Sequence, residues 1–223
     1  MRILELSLPV SDVAATARYF RDVLQQPVEG NAVRIGWSTI TLVPAGALPV
    51  GGVHLAFNVP DDRFAAAIGW LRERAPLQRN PDGIDYFVLE SNWQSQSVYF
   101  TGPDGMVLEL IGRRRLPVGS RSGPFHGSEL TSLSEVGLPS TDVDGLRTRL
   151  EADFGLQALS PPTPQFAPMG DDEGLLIVVD AARRWFPEGK DLPSARGLQL
   201  RLAGVSAGAG LADAAQGWQL RAA

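Results

Sequence analysis

The chain of 223 residues contains no cysteine. That absence excludes a disulfide framework, a thiolate nucleophile and any zinc or iron–sulfur centre held by sulfur, so a bound metal would need nitrogen and oxygen ligands. Histidine is scarce too, with only His54 and His126 present. No basic stripe exists: the formal net charge is -5, and the one basic run, Arg113-Arg114-Arg115, leads into a Pro-, Gly- and Ser-rich stretch. Such a run reads as a solvated strand end, and the charge balance argues against a nucleic-acid partner. No apolar run approaches the ~18 residues of a membrane span. The opening MRILELSLPVSD alternates like a strand, where a secretory signal would carry an apolar core. A soluble, cytoplasmic protein with no membrane partner is the resulting expectation. With 44% hydrophobic and 20% charged residues, the chain can bury one large core or two small ones.

What is present is a repeating order of elements. Residues 3–10, ILELSLPV, set Leu4, Leu6 and Leu8 on one side and Ile3, Glu5 and Ser7 on the other, the period of a half-buried strand. Ser11 can cap the helix that follows, in which Val13, Ala17, Phe20 and Leu24 recur at helical spacing. Short strands at 32–37 and 39–43 come next. The order then returns: a strand at 52–59, a helix at 61–74, and strands at 86–89, 97–101 and 107–111, the last two joined by TGPDGM with Pro103 and Gly105 as turn formers.

A linker, PVGSRSGPFHGS, occupies 117–128. Beyond it SEVGLPSTDV (134–143) parallels LELSLPVSDV (4–13), setting Glu135 against Glu5 at an offset of 130, and GLQLRL (197–202) parallels GVHLAF (52–57), setting Gln199 against His54. The end of the chain reads as a short helix at 210–217 followed only by WQLRAA, without room for closing strands. The expected units are therefore a complete one at 1–114, a linker at 115–128 and an incomplete, degenerate one at 129–223.

LPVSDV followed by a helix, VHLAFNV and VYFTGPDGMVLELI together resemble the vicinal oxygen chelate superfamily, which includes glyoxalase I, extradiol dioxygenases, and fosfomycin and bleomycin resistance proteins. The tail GLLIVVDAARRWFPEGK further resembles uncharacterised two-domain bacterial members. The resemblance implies an α+β fold of paired βαβββ modules, each pair curling into a cupped mixed sheet with a divalent metal in the cup. By motif it assigns Glu5, His54 and Glu109 as ligands, and Glu5 and Glu109 as catalytic carboxylates. Strand alternation sets Glu5 opposite Leu4 and Leu6, His54 opposite Val53 and Leu55, and Glu109 opposite Leu108 and Leu110. Two carboxylates and an imidazole around one Fe, Mn, Zn or Ni ion would satisfy all three groups and leave open coordination positions. Alternatively Glu5 leaves the metal and acts as a general base.

Two departures narrow the implied chemistry. Dioxygenase and fosfomycin-type members usually carry histidine where this chain has Glu5, and the position of the acidic glyoxalase I ligand falls in STITL, which offers only Thr39 or Thr41. Tyr86, Trp93, Gln96 and Tyr99 are the candidate substrate-binding residues, able to stack on or hydrogen-bond a ring. The second half reads as a structural or lid-like partner, with Glu135 as an interface or hydrogen-bonding residue and His126 solvated. Trp185 and Phe186 either anchor that half or reach across the cup. The function implied is a metal-dependent lyase, isomerase or dioxygenase acting on a small organic molecule with neighbouring oxygens, and a homodimer is allowed. The alternative is a metal-free binding or sequestering protein of the bleomycin-resistance type.

Overall fold

Two of the three strand–helix units begin the same way, because an aspartate sits where the first strand must stop. Asp12 accepts from the amide of Ala15 at 2.8 Å and Asp142 from that of Gly145 at 2.9 Å, so each caps the helix that follows. Ser11, the expected cap, is instead bonded to Asp104. A computed structural model describes residues 1–223. Helices α1 (Val13–Asp22), α2 (Phe64–Arg72) and α3 (Val143–Phe154) follow strands β1 (Arg2–Val10), β5 (His54–Val59) and β9 (Ser132–Ser140) respectively. The remaining strands of the first half are β2 (Val28–Glu29), β3 (Ala32–Ile35), β4 (Ser38–Pro44), β6 (Phe87–Leu89), β7 (Ser95–Thr101) and β8 (Val107–Arg113). Those of the second half are β10 (Phe166–Asp171), β11 (Gly174–Asp180), β12 (Gln199–Ala203), β13 (Gly210–Asp213) and β14 (Trp218–Ala222). No helix is long and apolar enough to cross a membrane.

The strands form two curled seven-stranded mixed sheets, ordered β13-β14-β12-β1-β4-β3-β2 and β10-β11-β9-β5-β8-β7-β6. The α+β architecture of βαβββ-type modules matches the sequence expectation, while the partnering of modules differs. The first strand of a module is hydrogen-bonded to its own last strand on one side only, and the other edge needs a neighbour. For β1 that neighbour is β12, and for β5 it is β9. The first module thus shares a sheet with the fourth, and the second with the third. Units at 1–114 and 129–223 cut across both sheets.

The expected helix at 210–217 is a hairpin. Leu211, Trp218 and Leu220 are buried at strand spacing, and pairing of β14 with β12 outweighs the helix propensity of the alanines in LADAAQ. The apolar faces of both sheets merge with the three helices in one core, where Phe20 of α1 meets Phe57 of β5 edge-on at 6.3 Å. A smaller cluster, Val107, Leu175, Ile177, Val179 and Trp185, lies apart from it against the opposite face of the second sheet.

A chain cut to residues 1–114 leaves one edge each of β1 and β5 without its partner strand. It is expected to associate or precipitate, checked by light scattering after gel filtration; a folded monomer as stable as the full chain would contradict the pairing.

Candidate metal centre

Strand β5 is buried along its whole length, and its small residue Ala56 organises what lies across it. Ala56 is the register partner of Glu109 on β8 and of Glu135 on β9. The two carboxylates therefore flank it, and His54, two residues back, points to the same face. Register slips by one residue just before Glu135. This bulge lets Leu133 face the core as Val136 and Leu138 do, while Glu135 turns to the other side.

His54 Nε2 lies 3.5 Å from Glu109 Oε2 and 3.6 Å from Glu135 Oε2. The three residues are at most 4% exposed, and one ligand atom from each lies within 4.8 Å of the others. His54 Nδ1 is 3.0 Å from the carbonyl oxygen of Val107. A carbonyl only accepts, so Nδ1 carries a hydrogen and Nε2 is the ring nitrogen left to face the carboxylates. Burial, and then the charge of Glu135, push the Glu109 carboxyl well above the ordinary carboxylate range, with Arg113 pulling the other way. Buried acceptors aimed at one another need a cation or a proton between them. The set of one nitrogen and two carboxylates fits a divalent metal and leaves coordination positions open.

Arg113 fixes one of the two carboxylates. It ends β8 on the face of Glu109, is 0% exposed, and donates from Nη2 to Glu135 Oε1. Its Nη1 has no hydrogen-bond partner and lies 3.7 Å from Asp172. Of the triplet read as a solvated strand end, only Arg114 and Arg115 behave so, pairing with Glu90 and Asp172 at the surface. Arg113 alternates inward because two residues separate it from Ile111 and four from Glu109.

A cavity of about 300 Å³ opens over the cluster, lined by Trp93, Tyr99, Phe166, Trp185 and Phe186 among others. Trp185 donates from Nε1 to the Gly52 carbonyl at 2.8 Å and lies tilted against His54 at 5.0 Å. Gly137 makes that approach feasible, since a Cβ there would sit 2.6 Å from Trp185 Cζ2. Phe186 packs edge-on to Phe87 and Tyr99 at the mouth. Burial first, then the charges of Glu109 and Glu135, push the Tyr99 hydroxyl well above its ordinary pKa. It remains a donor.

The sequence candidates divide accordingly. His54, Glu109, Trp93 and Tyr99 are gathered at this cavity. Glu5 is not: it lies in the other sheet, exposed and paired with Arg201 at 3.0 Å. Its repeat counterpart Glu135 stands beside His54 in its place. Tyr86 and Gln96 are turned away, because Gln96 alternates with Ser95 and Ser97 to the opposite side of β7. There the Tyr86 hydroxyl donates to Gln96 Oε1 at 2.7 Å and Gln96 Nε2 to Asp61. The signal for Glu135 was the repeat at offset 130; nothing in the sequence reported that β9 would lie against β5.

No protein-family model matches the chain. Over 113 residues it is 28% identical to the metallothiol transferase FosB of Staphylococcus epidermidis, a match covering 45% of this chain and 74% of that protein. Among solved structures, glyoxalase I from Zea mays aligns with a TM-score of 0.57 at 16% identity, covering 99% of this chain and 91% of that one. A putative dioxygenase from Bacillus subtilis aligns with a TM-score of 0.60 at 15% identity, covering 91% of this chain and 70% of that one. At these identities the structural likeness is one of fold.

Replacing Arg113 with Met strands the buried Glu135 carboxylate. The metal-free protein is expected to lose about 3–5 kcal/mol in urea denaturation, and a loss under about 1 kcal/mol would mean that Arg113 does not hold that charge.

Proposed function

We propose, for a chain that shares the fold of the vicinal oxygen chelate superfamily, that it is a metal-dependent enzyme acting on a small organic substrate with neighbouring oxygens. His54 Nε2, Glu109 and Glu135 would hold the divalent metal. The observation that carries this reading is the convergence of a buried imidazole Nε2 and two buried carboxylates within 4.8 Å of one another, with one arginine behind. When bound, the metal would act as a Lewis acid toward a chelated oxygen pair.

The residues around it divide the remaining work. Arg113 holds Oε1 of Glu135, so that Oε2 stays directed at the site. Once its own proton is displaced on metal binding, Glu109, without an ion pair to an arginine of its own, would be the carboxylate available to take a proton from a bound molecule. Tyr99, protonated, is placed to donate to a substrate oxygen. Trp185 and Phe186 narrow the opening and keep bulk water from the centre. Arg183, on the rim against the Phe166 ring at 5.1 Å, can receive an acidic group of the substrate. With a volume near the small end of ligand pockets and a largely aromatic lining, the cavity suits one flat, unsaturated molecule.

A second reading, metal-free sequestration of an aromatic ligand, is favoured by that lining alone. It assigns no role to the buried cluster of His54, Glu109 and Glu135, whose burial is costly, which is why we place it second.

Metal analysis and thermal shift separate the two. The purified protein is expected to retain one divalent ion per chain, and saturation at 100 times Kd to add about 2.7 kcal/mol of stability. His54→Ala and Glu135→Gln should lose the ion, while Glu5→Gln should keep it. Loss with Glu5→Gln and retention with Glu135→Gln would overturn this ligand set; no metal uptake in any form would favour sequestration.

Filling Gly137 supplies an independent check on the pocket. Gly137→Ala forces Trp185 off His54, so ligand-free tryptophan fluorescence should shift and turnover should fall by an order of magnitude or more. Unchanged emission and rate would show that the indole is not seated there.

A further inference from the structure

The first sheet carries a second cup built to the same register and with the opposite charge. Arg201 on β12 is the partner of Glu5 on one side and of Arg221 on the other, as Ala56 is of Glu135 and Glu109. Gln199 stands two residues before Arg201, as His54 does before Ala56. The bulge recurs too, since register slips just before Glu5. His54, Glu109 and Glu135 thus correspond to Gln199, Arg221 and Glu5, and the space left by Ala56 is filled by Arg201, whose Nη1 reaches Glu5 Oε1 at 3.0 Å.

Every one of these exchanges except the retained glutamate works against a cation. An imidazole lone pair becomes an amide, a carboxylate becomes a guanidinium, and a second guanidinium sits on the first carboxylate. We propose that this cup is a metal-free binding site for a small oxyanion, a phosphate or carboxylate group, received chiefly by Arg221 and Arg201.

Three observations support it. First, Arg201 and Arg221 are direct neighbours across paired strands, and like charges so placed repel. Glu5 offsets only one of them, so an anion between the two relieves what remains. Second, Arg221 makes no ion pair or side-chain hydrogen bond, and the amides of Gln199 and Gln219, neighbours in the next row, make none either. The cavity, about 410 Å³, is consequently lined by solvent-facing donors that no other side chain holds, apart from Arg201. Third, two arginines against one glutamate give the cup a local charge of about +1 in a chain whose net charge is -5. Guanidinium groups bind planar oxyanions by paired hydrogen bonds. Because Arg201 and Glu5 are about half exposed, solvent screening holds the expected Kd on the order of 1 mM.

The test is a titration of the full-length protein in low-salt buffer, following arginine side-chain Nε–Hε resonances by NMR. Inorganic phosphate and malonate serve as separate probes. Saturable shifts of Arg201 and Arg221 are expected, with affinity falling about tenfold or more in Arg221→Gln and rising several-fold in Glu5→Gln, where the competing carboxylate is gone. Response to phosphate alone identifies a phosphate-bearing ligand, and response to malonate alone a carboxylate; either supports the site. No saturable shift up to roughly 50 mM of both probes, or equal affinity in Arg221→Gln, overturns it. Both variants should hold metal at His54 as the parent does, so failure here is separable from failure of the metal reading.

Discussion

Two glutamates buried on either side of one alanine repel each other, and the second sheet is arranged around that repulsion. Both Glu109 and Glu135 lie on strands flanking a wholly buried β5 and meet solvent only through the cavity above them. Arg113 offsets one negative charge and is itself sealed from water. Burial and the charge of Glu135 push the Glu109 carboxyl well above the ordinary range, beside an imidazole bonded to the Val107 carbonyl. An apolar replacement of all these groups would pack as well at less desolvation cost. Their presence is therefore not explained by stability, and the proposed metal role would account for it.

Comparison of the two cups shows how little the scaffold dictates chemistry. Both have the same strand neighbours and the same bulge ahead of a glutamate. The decisive exchange is Ala56 for Arg201. An alanine between two carboxylates leaves a void of negative potential, whereas an arginine there fills the void with its own cation. Once that position is occupied, the neighbouring strand no longer gains from a carboxylate, and Arg221 stands where Glu109 does. The same contrast accounts for burial: the metal-type cup is roofed by the segment bearing Trp185 and Phe186, while the arginine cup stays hydrated, as guanidinium groups without full partners require.

Much of this was legible in the sequence, and the illegible part has a definite cause. Alternation located β1, β5, β8 and β9, and helical spacing the helices after β1, β5 and β9, while His54 and Glu109 stood out as polar residues among apolar neighbours. The repeat paired Glu5 with Glu135 and His54 with Gln199. What a linear pattern does not carry is which strand edge meets which. β5 meets β9 across 74 residues of separation at Asn58 and Ser132, and only that encounter sets Glu135, and not Glu5, beside His54. Bulges hide a second piece of information. Strict period two from Leu133 would turn Glu135 toward the core, and one extra residue reverses it. Arg113 was obscured by its company, since a run of three arginines looks solvated even when alternation sends one of them inward.

The roof of the cup follows from a backbone constraint. Gly52 adopts φ +68 and Gly137 has no side chain; a Cβ at Gly52 would meet the Leu192 carbonyl at 2.2 Å, and one at Gly137 would meet the Trp185 ring. These two glycines, on either side of His54, let the segment that follows β11 descend until the Trp185 indole reaches the Gly52 carbonyl and the imidazole. The indole then packs against the imidazole and lowers the polarity around the cluster, which strengthens the charge interactions within it. Low polarity around a group of like charges is unfavourable for the empty centre and favourable for the filled one. On the metal reading proposed above, the glycines, which touch no ligand, would thereby raise the affinity of the site for a cation.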